Sequence, residues 1–194
     1  MTGDVLEVAF KEWSAVVEAL GNGQQSVILR KGGIHEKGGR FSPAYSSFLF
    51  FPTFEHQNKE DIRAEFLNLF AKENKEETEK IAFEYFAKLE KSWEIRNLEQ
   101  LLGFSSFHIW SEEVLRKRFE FGKEKGVFLM LVRIYRLPAI SYVENQSSYG
   151  GCKSWVTLKN EVSIENSTPI IPDNAFVKLK QTLEKRIAEQ GVTF

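Results

Sequence analysis

The chain has 194 residues, 42% of them hydrophobic, and a formal net charge of −1. That is enough for one well-filled domain, 1–194, and short for two, and the near-neutral balance supplies no global field that would steer the protein onto nucleic acid or a membrane. The single Cys152 excludes an intramolecular disulfide and a Cys-only zinc site. No apolar run approaches the ~20 residues of a membrane span, and MTGDVLEVAF lacks the basic start and apolar stretch of a signal peptide, so a cytoplasmic protein with no membrane partner is expected.

Along the chain, Leu6, Phe10, Trp13, Val17 and Leu20 recur at helical spacing, and GNG (21–23) ends that stripe. SVILRK (26–31) and SSFLFF (46–51) read as strands, the second stopped by Pro52. Two helices are expected next, one through Ile62, Phe66, Leu69 and Phe70 and one through Ile81, Ala82, Tyr85, Phe86 and Leu89. SWEIRNLEQL (92–101) fits a strand with Trp93 and Ile95 inward almost as well as a helix. Ser111 followed by Glu112 and Glu113 is a helix start, with Trp110 placed to staple onto Leu115.

VFLMLVRIYRL (127–137) is apolar on both faces and predicts a central strand, and CKSWVTL (152–158) a short one. Pro172 and Asp173 open a last helix, about 173–190, striped by Phe176, Leu179, Leu183 and Ile187 and closed by Gly191. Strands and helices do not alternate strictly. The expected class is α+β, with a mixed or mostly antiparallel sheet and flanking and inserted helices.

The loop KGGIHEKGGR (31–40) runs toward a strand, whereas a phosphate cradle opens into a helix N-terminus; GNGQQS fails because it follows a helix and precedes a strand. ILRKGGIHE suggests the first strand of a Nudix hydrolase, but KEDIRAEFLNLF lacks the paired glutamates that would hold its metal. His35-Glu36 and Glu55-His56 are metal-competent residue types, yet neither pair has the i, i+4 spacing that aims two ligands at one ion. They define a metal-dependent hydrolase or nuclease as the alternative activity, while no metal and no cofactor is assigned. Glu73-Asn74-Lys75 is the clear acid-x-Lys match for a carboxylate-type nuclease, and it falls at a helix end with no suitable Asp before it. Cys152 beside Lys153 is a candidate thiolate, and more often such a residue is a small buried filler.

Basic residues interleaved with aromatics are the remaining signal. RKRF, Arg133, Tyr135 and Arg136 give residues 114–136 an excess of base, and Arg30, Lys31, Lys37 and Arg40 form a second one beside glycines that admit close backbone approach. The leading expectation is a nucleic-acid cleft in which Arg30, Lys31 and Arg40 contact phosphate and Arg133, Tyr135 and Arg136 form a stacking and anchoring wall. Gly32, Gly33, His35, Glu36, Glu55, His56, Cys152 and Trp155 complete the candidate cleft, with Tyr135 and Trp155 framing it beside the 31–41 loop.

AFKEWSAVVEALGNGQQSVILRKGGIHE, FLFFPTFEHQ, FHIWSEEVLRKRF, VRIYRLP and YGGCKSWVTL, in that order over about 9–158, resemble the bacterial family known as domain of unknown function 1802. The resemblance implies no particular activity; some members are associated with restriction-endonuclease-like domains, which implies a link to DNA defence. The order of a helix, G-x-x-x-V-I-L-R and later strands is also similar to PUA-like domains, small barrels that often bind RNA or modified bases. In those the segment after the first helix lines the ligand cleft, which would place Arg30 and Lys31 there.

Overall fold

A computed structural model describes residues 4–31, 43–55, 57–70, 79–122 and 124–192. The first element corrects the helical stripe. Val5–Trp13 is strand β1, and helix α1 spans only Ser14–Gly21. Val8, Phe10 and Glu12 alternate onto one face of β1 while Ala9 enters the core on the other. Leu6, Phe10 and Trp13 mimic helical spacing because the strand is buried on both sides where it joins a helix. Seven of the eight α1 residues are buried, so this helix carries no polar face to mark its own start. Gly21 ends it beneath Tyr85, whose ring carbon would lie 2.4 Å from a Cβ at that position.

Strand β2 (Val27–Arg30) follows, and after it β3 (Ser47–Thr53), which pairs parallel with β1. Phe48 and Phe50 enter one core cluster, Leu49 and Phe51 the other. Pro52 does not stop β3, which runs on to Thr53.

The two expected helices of 62–89 are corrected next. Ile62 forms a β-bridge with Trp110, and the backbone N–H groups of Arg63 and Ser111 donate to the Ile109 and Asp61 carbonyls. This clamp holds 61–63 extended and leaves only a 3-10 turn over Ala64–Leu69. Ile81 to Leu89 belong to β4 (Lys80–Ile95), which pairs antiparallel with β5 (Val127–Glu144). Ile81, Phe83 and Phe86 serve one core cluster, Tyr85 and Ala87 the other. Two-sided burial and a register shift between Phe83 and Tyr85 convert strand alternation into spacings of one, three and four.

The ambiguous 92–101 segment is both things in turn: β4 to Ile95, with Trp93 and Ile95 buried, then helix α2 (Leu98–Leu102) capped by Asn97. The start of helix α3 (Glu112–Glu120) is as expected, with Ser111 Oγ accepting the Val114 N–H. Strand β6 is Trp155–Ser163, later than its expected start, followed by β7 (Thr168–Pro169) and helix α4 (Asp173–Glu189), beyond which Gly191 turns at φ +64°.

All seven strands join one mixed sheet in the order β2-β5-β4-β3-β1-β6, with β7 on β5. β5 is paired on both sides, by β2 and β4, as its apolar run predicts. Among the described residues no backbone ladder closes the sheet between β2 and β6. Those two ends are instead bridged by side chains. No helix is long and apolar enough to cross a membrane among the described residues.

Candidate nucleic-acid interface

The bridge between the sheet's two ends starts from a parity argument. Val8 and Phe10 point into the same core cluster as Phe48 and Phe50, and the next position on that face is Glu12. A carboxylate thus closes a row of apolar side chains and is only 2% exposed. Burial of a carboxylate is costly unless cations and N–H groups surround it. Here two guanidinium groups lie close. Arg30, the last residue of β2, points its NH1 at Glu12 Oε2 across 3.9 Å, while its Nε and NH2 both donate to Ser154 Oγ at 3.2 and 3.0 Å. Its guanidinium carbon stands 5.0 Å from the Phe10 ring centre.

Arg118 comes from α3, donates through NH1 to the Leu29 carbonyl at 3.4 Å and lies 3.7 Å above the Trp110 ring. Burial lowers its pKa to about 10, Glu12 pulling it up and Arg30 pushing it down, so it stays a cation at neutral pH. Glu12 itself is incompletely satisfied. Its Oε1 accepts the Trp13 backbone N–H at 2.9 Å, but Oε2 is buried with no hydrogen-bond partner.

An aromatic wall rises beside this cluster. The Trp155 ring packs 4.7 Å from Phe10, 5.1 Å from Phe48 and 5.1 Å from Tyr45, and Tyr45 is 39% exposed. Gln57 ties the chain beyond β3 to the start of α1, donating to Ser14 Oγ at 3.1 Å and to the Thr53 carbonyl at 2.9 Å. The mouth of the half-closed sheet therefore offers a partly exposed guanidinium, a buried carboxylate and a stacking face.

The other expected cations are engaged elsewhere. Lys31 Nζ donates to the Phe119 and Glu124 carbonyls, completing the C-terminal end of α3, and burial lowers its pKa against the pull of Glu120, Glu124 and Glu94. Arg133 is buried, donating to the Ile171 carbonyl at 3.1 Å and to the Asp173 carboxylate, with Phe176 beneath its guanidinium. Tyr135 stacks on Phe86 in the opposite core cluster, at 4.9 Å and 12°. Arg136 is held by Tyr85 Oη and Glu84. Because Arg30 pairs with Phe128, Arg133 and Arg136 stand roughly 16 and 26 Å further along β5 at ~3.3 Å per residue. These three residues form no wall beside Arg30, and Tyr135 and Trp155 do not frame one cleft.

RKRF also loses its charge as a patch. Arg116 and Lys117 pair with Glu112 and Glu113 one turn back, and Arg118 is the cation over Trp110. Cys152 is exposed, and both it and Glu55 act electrostatically on Lys11, whose pKa burial lowers. Gly32, Gly33, His35, Glu36, Arg40 and His56 lie outside the described residues. Among the described residues no group of three or more His, Cys, Asp and Glu is arranged to hold a metal ion. Sequence reasoning missed Glu12, Arg118, Tyr45 and Ser154; the one usable signal was a charge interrupting the alternation of Val8 and Phe10.

No curated protein matches the sequence. The structure is similar to that of ASCH from Zymomonas mobilis, with a TM-score of 0.46 and 14% identity over 90% of this chain and 93% of that one. Two mutants of the same protein, a Tyr-to-Phe and a Ser-to-Ala, give TM-scores of 0.46 and 0.47 at 14% and 13% identity. They cover 90% and 93% of this chain and 96% and 98% of their own. The model for Domain of unknown function (DUF1802) matches residues 9–182, and the chain belongs to that family.

Proposed function

We propose that this protein binds nucleic acid by taking one base of a single-stranded segment at the mouth of the sheet. The observation that carries the reading is Arg30, aligned by Ser154 and Glu12 and still about a quarter exposed, beside the exposed Tyr45 and the Trp155 ring. Single strands are recognised by aromatic faces that stack bases and by cations that meet phosphate or base edges. Both are present here within one small region. The site is one residue wide in cations, so modest affinity is expected, with a shallow salt dependence.

The test is fluorescence anisotropy on short single- and double-stranded RNA and DNA at several salt concentrations. Wild type is compared with Arg30→Ala, Tyr45→Ala and Lys31→Ala. Arg30→Ala and Tyr45→Ala weaken binding about tenfold, whereas Lys31→Ala leaves it unchanged because Lys31 is committed to α3. If wild type binds nothing at low salt, or if Arg30→Ala binds as wild type does, this function is wrong.

A further inference from the structure

Resting on that reading, we propose that the base taken at the mouth is guanine and that Glu12 is the residue that selects it. The unsatisfied groups define what the ligand must carry. Arg30 uses Nε and NH2 on Ser154 Oγ, which leaves NH1 turned toward Glu12 Oε2 at 3.9 Å. That separation is too long for a hydrogen bond. A donor and an acceptor therefore face one another across a gap without bonding, and the acceptor is a buried carboxylate oxygen with no other partner. Leaving such an oxygen unpaired is unfavourable, so a ligand that supplies the missing N–H is held by it.

A planar edge that lies against both groups must present an acceptor to Arg30 and donors to Glu12. Arg30 keeps its two hydrogen bonds to Ser154 Oγ while NH1, which makes none to Glu12, turns to the ligand. The carboxylate has accepted one N–H, from Trp13, and has capacity for more than one further donor. Guanine is the base whose carbonyl acceptor, O6, is followed by two donors in a row, the ring N1–H and the exocyclic N2 amine. Adenine and cytosine each carry one donor group, their amine. Uracil offers one N–H, but its second carbonyl would then oppose the carboxylate. Arginine to the guanine O6 and carboxylate to an amine or ring N–H are favourable pairings on general grounds. The bicyclic ring also gives the exposed Tyr45 more area to stack on than a pyrimidine does.

The experiment measures anisotropy on a short labelled oligouridine, made as RNA and as DNA, whose central base is guanine, hypoxanthine, adenine, cytosine or uracil. Guanine binds tighter than adenine, cytosine and uracil by about tenfold or more. Hypoxanthine, which lacks only the N2 amine, falls between. Glu12→Gln keeps binding through Arg30 but brings all five bases to within about twofold of each other. Equal affinities on wild type overturn the guanine assignment and leave nucleic-acid binding standing. Hypoxanthine equal to guanine overturns the two-donor account of Glu12. Binding to none of the five removes both this inference and the reading beneath it. Should Glu12→Gln fail to fold, the base series on wild type still decides.

Discussion

Two arginines along the β2–β5 pair have opposite character. Within β5 Arg133 is buried, pairs with the Ile171 carbonyl and the Asp173 carboxylate, and lies on Phe176, so it pins the start of α4 to the sheet. At the end of β2, across from Phe128 near the start of β5, Arg30 is partly exposed, and NH1 faces a carboxylate oxygen it does not bond. In sequence both are basic residues near aromatics. What separates them is how far the fold covers each guanidinium, the Arg133 side chain being 10% exposed and that of Arg30 24%. An arginine enclosed by the fold builds it even where a donor goes unpartnered, as Nε of Arg133 does, whereas one left open at the mouth is placed to meet a ligand.

The largest effect expected from this contrast concerns acid. His108 lies behind the mouth, where its Nδ1 accepts the Trp110 N–H at 3.2 Å and its buried Nε2 has no partner. Burial, then Arg63 and Arg118, lower its pKa from 6.5 to about 3. The unfolded chain therefore takes up this proton near pH 6.5 and the folded protein only near 3, so stability contributed by neutral His108 is complete above about 7 and is lost as pH falls through that window. The loss reaches about 3–5 kcal/mol at the acid end. Denaturant titrations from pH 7 to 3.5 should show it, and His108→Asn, which keeps an acceptor for the Trp110 N–H, should flatten the slope. An equal slope in the variant would place the acid sensitivity elsewhere.

Next in size is Arg133→Ala. It strands the Ile171 carbonyl and uncovers Phe176, and should cost about 2–4 kcal/mol in a denaturant melt while leaving nucleic-acid affinity unchanged for the folded fraction. The same substitution at Arg30 should behave inversely, with a smaller loss of stability and a larger loss of binding. If Arg133→Ala also abolished binding at a concentration where the protein remains folded, the division of labour along the β2–β5 pair would fail.

What the sequence disclosed and concealed follows the same line between local and non-local causes. Ser111 and Gly191 act on their own helix ends, and the 127–137 run is apolar whatever its neighbours, so α3, α4 and β5 were legible. β1 and β4 were not, because burial on two faces and a register shift at Phe83–Tyr85 erase the period of two that marks a strand. The site divides similarly. Arg30 and Trp155 are recognisable residue types, but their meeting depends on Ser154 and Phe10 being brought together by β1, β2 and β6. Arg118 was hidden within RKRF. Only the residue one turn back distinguishes it locally from Arg116, which pairs with Glu112, whereas Arg118 follows Val114 and points to Trp110.

The smallest effect expected is at that stretch, and it sharpens the comparison because it is a negative. Arg116 and Lys117 each hold an exposed i, i+4 partner at 2.6 and 2.7 Å, Glu112 and Glu113. Exposed pairs of this kind contribute little and are screened by salt. Arg116→Ala with Lys117→Ala should therefore leave stability nearly unchanged. If the basic stretch acted as a phosphate patch, the double variant would reduce the salt slope of nucleic-acid binding by about two units. If its charges are spent within the helix, the slope stays unchanged while Arg30→Ala still weakens binding. Anisotropy at several salt concentrations separates the outcomes, and a flattened slope in the double variant would move the interface from the mouth of the sheet to the face of α3.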